Sequence, residues 1–101
     1  NSDNVSTPKS ILIPFAIIDE ILPNSPAQLD GLIDGDKLLK FGHIEGTMEN
    51  PLNLIPRVVL DNANHSINLL VNRNGEEIHI SLTPRSWSGR GLLGCHLTPI
   101  I

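Results

Sequence analysis

The chain has 101 residues, a formal net charge of −4, an apolar content of 40% and an aromatic content of only 3%. That is one domain's length, enough for a modest aliphatic core. Its seven Lys and Arg are scattered and no apolar run reaches the length of a membrane span, which excludes a nucleic-acid stripe and a spanning helix.

Residues 1–10 are polar and aperiodic and Ile11-Leu12-Ile13-Pro14 is expected against the domain edge, so 1–14 is expected to be a flexible lead-in with the domain proper over 15–101. The first residue is Asn1, so the chain is expected to be part of a longer protein. Phe15–Leu22 is apolar and β-rich and predicts a strand, stopped by the turn residues Pro23-Asn24-Ser25-Pro26. Pro26 suits a first helical position, so a one-turn helix is predicted over Ala27–Asp30, closed by Gly31. A turn at Asp34-Gly35-Asp36 leads into a strand over Lys37–Phe41, followed by a loop over Gly42–Asn50.

The main helix is harder to start. Beginning it at Asn50-Pro51 would put Pro56 at its sixth position, where proline costs about 3 kcal/mol. With Asn53 as N-cap, Pro56 falls in the first turn, so the helix is predicted over Leu54–Asn62. Ser66–Arg73 and Glu76–Thr83 alternate as strands around Asn74-Gly75, the signature of a type I′ hairpin turn. A loop holding Trp87 and a short strand over Cys95–Thr98 complete the chain.

Two stretches carry chemistry. Leu92-Leu93-Gly94-Cys95 has the form x-Φ-G-Φ, with Φ apolar, in which a glycine lets consecutive backbone amides converge on an anion. Leu93, Cys95 and Leu97 alternate onto one strand face and are predicted to line an apolar slot beside it. The facing wall is predicted from Asn53, Arg57 and Leu60, spaced along one helical face, with Ile55, Val58, Val59 and Asn62 turned to the core. Arg90 is a candidate aid to the anion, and a bulky residue at Gly94 is expected to weaken binding more than folding. The second stretch, Ser25-Pro26-Ala27-Gln28-Leu29-Asp30-Gly31-Leu32 followed by Asp34-Gly35-Asp36-Lys37-Leu38-Leu39, puts a small residue where a short helix meets the sheet and glycines at both turns.

Together these resemble the PDZ fold, whose signature joins an S-P-A-x-x-x-G-L helix to a G-D-x-I/L-L strand. The resemblance implies an α+β, PDZ-like small antiparallel sandwich or barrel of five to six strands and two helices. The resemblance implies that the x-Φ-G-Φ loop binds a terminal carboxylate; in the common PDZ order it precedes the S-P-A segment, and here, at Leu92–Cys95, it comes last, so the chain is read as circularly permuted. The position that is often His in PDZ domains is Asn53, and Arg57 stands where a small or apolar residue is usual. With Trp87–Leu97 added, residues from about Phe15 to Pro99 resemble the C-terminal PDZ domain of the proteasome non-ATPase subunit 9 family, assembly chaperones of the 26S regulatory particle. That resemblance implies a partner, the C-terminal tail of a proteasomal ATPase subunit, and a monomeric, cytoplasmic and nuclear protein without nucleic-acid or membrane partners. The same motifs leave open a regulatory PDZ domain of an HtrA-like or site-2-type protease.

Catalysis has no support in the sequence. The nucleophile, zinc-protease and P-loop motifs are absent, the four His lack ligand spacing, and Cys95 reads as an inert pocket or core thiol. No cofactor or metal is expected. Trp87 reads as a packing anchor for its loop.

Overall fold

The computed structural model describes residues 12–100. Most of the expected lead-in, up to residue 11, and the final residue therefore lie outside the described part. Within it the order is β1 (Ala16–Asp19), α1 (Pro26–Leu29), β2 (Lys37–Phe41), β3 (Ile44–Glu45), α2 (Pro51–Asp61), β4 (Ile67–Arg73), β5 (Glu76–Leu82) and β6 (His96–Pro99). The strands form one antiparallel sheet in the order β5–β4–β2–β1–β6, with β3 pairing β2. This is an α+β fold of six strands and two helices, as a small PDZ-like barrel requires. The last strand in sequence lies beside β1, so the loop before it reaches the site from the C-terminal end of the chain.

The strands follow the alternation of the sequence. β2 is Lys37–Phe41 as predicted, and β4 and β5 pair from Ile67↔Leu82 to Arg73↔Glu76. The turn between them has Asn74 at φ 55° and Gly75 at φ 87°, the two positive values a type I′ turn needs. The loop predicted over Gly42–Asn50 contains the two-residue strand β3. The closing strand begins one residue later than expected, at His96.

The main helix departs from its predicted boundary. α2 starts at Pro51, carries Pro56 inside, and has Asn53 in its first turn rather than at its cap. Asn50 precedes it in the left-handed conformation, φ 50°, with no side-chain cap bond. Pro56 leaves the Leu52 carbonyl without its helical donor, a cost of about 3 kcal/mol. Burial outweighs it: Ile55, Val58 and Val59 are all buried, each contributing roughly 1.5–3 kcal/mol, and Leu52 packs beside them. They join Phe15, Ile18, Phe41 and Leu69 in a single core cluster.

Two ion pairs fasten the short helix to the sheet. Ser25, fully buried, caps α1 by accepting from the Gln28 N–H (3.2 Å). Asp36 is also buried, and its carboxylate accepts from Arg73 Nε (2.9 Å), Arg73 Nη2 (2.8 Å) and the Ile33 N–H (3.0 Å). Arg73 Nη2 reaches the Gly31 carbonyl as well (2.9 Å). Arg85 Nη1 likewise binds Asp30 Oδ2 (2.9 Å), which also accepts from the Thr83 N–H (2.8 Å). Both guanidinium pKa values are raised, first by these side-chain hydrogen bonds.

Candidate functional site

The loop before β6 is held by its carbonyls. Arg85 N–H donates to the Leu92 carbonyl (3.1 Å), Ala27 N–H to Leu93 (2.9 Å) and Leu22 N–H to Gly94 (2.9 Å). Trp87 Nε1 donates to the Arg90 carbonyl (3.3 Å), so the half-buried indole anchors the turn. The N–H groups of Leu93, Gly94 and Cys95 have no partner among the described residues. With the oxygens drawn into the domain, consecutive amides are left as donors, the arrangement that binds anions in backbone nests.

Gly94 makes this shape possible. Its φ is +78°, and a Cβ there would collide with the Ser25 side chain and the Trp87 ring. This reverses the expectation that a substitution would weaken binding more than folding. Gly94 is buried against the cap of α1, so a side chain there strains the fold itself.

Beside the loop lies a largely apolar cavity of about 440 Å³. Ile55, Pro56 and Val59 of α2 form one wall, and Leu92, Leu93 and Cys95 form the other. The lining also includes Glu20, Arg90 and His96, which are exposed and therefore on its rim. Burial is the first cause that pushes the Cys95 thiol up from 9.0 to about 11, with Asp19 and Asp34 adding repulsion. It stays protonated at neutral pH, a wall of the slot rather than a nucleophile.

The slot continues along an open strand edge. β6 is terminal in the sheet, paired only with β1 among the described residues. Ile18 directs its N–H to Asp36 and accepts from Gly35, both on the β2 side. Alternation therefore turns Ile17 and Asp19 toward β6, where they face Thr98 and His96. The backbone groups of Cys95 and Leu97 are then the ones left at the free edge. Donors for an anion, an apolar slot and an unpaired edge thus meet at one place.

No protein-family model matches the chain. It is 36% identical over 99 residues to the 26S proteasome non-ATPase regulatory subunit 9 of Rattus norvegicus, covering 98% of the chain and 43% of the relative. It is 40% identical over 86 residues to the probable 26S proteasome regulatory subunit p27 of Saccharomyces cerevisiae, covering 84% and 39%. This chain is homologous to the proteasome non-ATPase regulatory subunit 9 proteins. It spans about two fifths of the length of these subunit 9 relatives. A more distant match, 28% over 99 residues, is to the membrane metalloprotease ARASP, chloroplastic, of Arabidopsis thaliana, covering 95% of the chain and 22% of that protein.

In this subunit 9 homologue the residues singled out in the sequence separate into two groups. Arg90, Leu92, Leu93, Gly94 and Cys95 all line the cavity. Leu97 packs on the core and is outside the lining, as are Asn53, Arg57 and Leu60. Those three are exposed on α2, with Arg57 Nε paired to Asp61 Oδ2 (3.4 Å). The helical wall is instead Ile55, Pro56 and Val59, two of them also core residues. The apolar i, i+4 pair Ile55 and Val59 was the available signal, assigned in the sequence to the core alone. No group of His, Cys, Asp and Glu suited to a metal ion occurs among the described residues, and no helix there is long and apolar enough to cross a membrane.

Proposed function

We propose that residues 15–101 form a non-enzymatic PDZ domain that captures the free C-terminus of a partner protein. The observation that carries this reading is the loop's polarity: carbonyls bonded inward, and the amides of Leu93, Gly94 and Cys95 without partners beside an apolar slot. A terminal carboxylate satisfies those amides, the last side chain enters the slot between α2 and the loop, and the preceding residues add a strand to β6. Leu92, Leu93, Gly94 and Cys95 hold the chain end, Arg90 adds charge, and Ile55, Pro56 and Val59 form the helical wall.

The partner in this proposal is the C-terminal tail of a proteasomal ATPase subunit, and the role is that of a cytoplasmic and nuclear chaperone in regulatory-particle assembly. Its support is the homology to proteins named as proteasome regulatory subunits. The proposal takes the protein as a monomer, with α2, the loop and β6 of one chain supplying the groove. A second reading, a regulatory PDZ domain of a site-2-type protease, is favoured by the metalloprotease match, which is weaker at 28% identity.

Calorimetric titration with synthetic tails of the regulatory-particle ATPases tests the proposal. At least one free-acid tail should bind with a dissociation constant of roughly micromolar order, and its amide about tenfold or more weakly, because the amides lose a charged acceptor. Equal affinities for acid and amide would show that the loop does not hold a carboxylate.

A further inference from the structure

The outer face of β6 carries a polar cluster that the carboxylate loop does not use. Asp19 and His96 are cross-strand partners, and Asp19 Oδ1 lies 2.9 Å from His96 Nδ1. Thr98 Oγ1 donates to Asp19 Oδ2 (2.8 Å). The Thr98 hydrogen bond is the largest influence on Asp19 and holds its carboxyl below the usual range, so it is an anion at neutral pH. An ionised carboxylate only accepts, so His96 Nδ1 carries the proton, and in the neutral ring Nε2 is left as an acceptor. Glu20 follows on the same rim, and Asp34 Oδ1 accepts from the Ile21 N–H close by (3.1 Å). Arg90 is the one cationic side chain among the cavity-lining residues.

Register decides which part of a bound chain meets this cluster. Cys95 and Leu97 offer their backbone groups to the free edge, so an added antiparallel strand sets its last residue against Cys95 and its third-last against Leu97. Its penultimate residue then lies opposite His96. Side chains alternate, so the last and third-last point toward α2, while the penultimate points to the face of His96, Asp19 and Thr98.

We propose that Asp19, Glu20 and His96 select the penultimate residue of the bound tail, favouring a cationic hydrogen-bond donor, lysine or arginine, and rejecting an acidic side chain. This rests on the groove reading above and adds a second determinant to it. The terminal carboxylate fixes where the chain ends, and the acidic outer face reads the charge one residue before it. Asp19 is half-buried and Glu20 exposed, so solvent and salt reach both and the preference is moderate and falls with salt.

The test uses three short free-acid peptides that differ only in a penultimate Lys, Gln or Glu. Each is titrated into the intact chain and into the variants Asp19→Asn and Glu20→Gln. At low ionic strength the Lys peptide should bind about fivefold more tightly than the Glu peptide, with Gln between them. The ratio should shrink in each variant and in high salt. The same exchange at the third-last position should be insensitive to both variants, because that side chain faces α2. Glu20→Gln changes an exposed residue outside the Asp19 hydrogen bonds and keeps the test decisive if Asp19→Asn folds poorly. A flat series, a preference for Glu, or a ratio unchanged in Glu20→Gln would overturn the inference. If the amidated peptides bind equally well, or no peptide binds, the groove reading falls and takes this inference with it. A flat series among peptides that still require their carboxylate defeats this inference alone.

Discussion

At Asp36 and at Gly94 the chain brings polar groups up against an apolar core, and it treats them in opposite ways. Around Asp36 every polar atom is matched: both carboxylate oxygens are bonded, the backbone N–H reaches Ile33, and the carbonyl accepts from Ile18. Around Gly94 only the oxygens are matched, and three successive amides have no partner among the described residues. Buried groups that are fully paired hold a fold together, and unpaired donors beside a slot are available to a ligand. Both regions meet at α1, where Ala27 donates to the loop while Gly31, just past the helix, accepts from Arg73. The ion pair therefore braces the helix from which the loop hangs.

The comparison can be broken by mutation. Arg73→Met should be the most damaging, because it leaves Asp36 charged and buried. A loss of about 3 kcal/mol is expected in denaturant unfolding, and a loss within experimental error would show that the pair does not brace the fold. On the groove side, the raised thiol pKa predicts that Cys95 is alkylated at pH 8 about 100-fold more slowly than an unhindered thiol of ordinary pKa. The sign follows from which state binds the proton more tightly. The native state holds it up to about pH 11 and the unfolded chain releases it near 9.0, so stability should fall as pH rises between those values. Alkylation at the free-thiol rate would remove Cys95 from the slot wall. Gly94→Ala should cost about 2 kcal/mol through its positive φ and the collision with Ser25, measurable as a lowered Tm. A stable Gly94→Ala variant would mean the loop can be rebuilt without its glycine. The smallest effect is expected at Arg57→Ala. Its pair with Asp61 is exposed and Arg57 lies outside the cavity, so stability should change by less than about 0.5 kcal/mol and peptide affinity not at all.

The parts of this architecture that rest on local rules were legible in the sequence. Alternation gave β4 and β5, and Asn74-Gly75 named their turn. Pro26 and Gly31 framed α1, and the glycine pattern marked the loop at Leu92–Cys95. The errors came where distant residues decide. Pro56 argued locally for a later helix start, but burial of Ile55, Val58 and Val59 outweighs that penalty, and one helix's pattern cannot show the packing available to it. In the sequence Asn53, Arg57 and Leu60 share one helical face and Ile55, Val58 and Val59 another, a division that predicts groove on the first and core on the second. The structure instead lets Ile55 and Val59 serve both, since the edge of the core is open there. Asp36 lies in a predicted turn and Asp30 at the end of the predicted short helix, and their arginine partners lie 37 and 55 residues further along, a pairing that no local spacing signals.

In the proposed function the amides of Leu93, Gly94 and Cys95 bind a carboxylate. Amide proton–nitrogen shift mapping during titration with one free-acid tail and its amidated twin tests it directly. The acid should move the resonances of these three amides and of Leu97 most, shifting the first three downfield, and the amidated peptide should leave them nearly in place. The largest shifts appearing on β4 and β5, or the same response to both peptides, would contradict it.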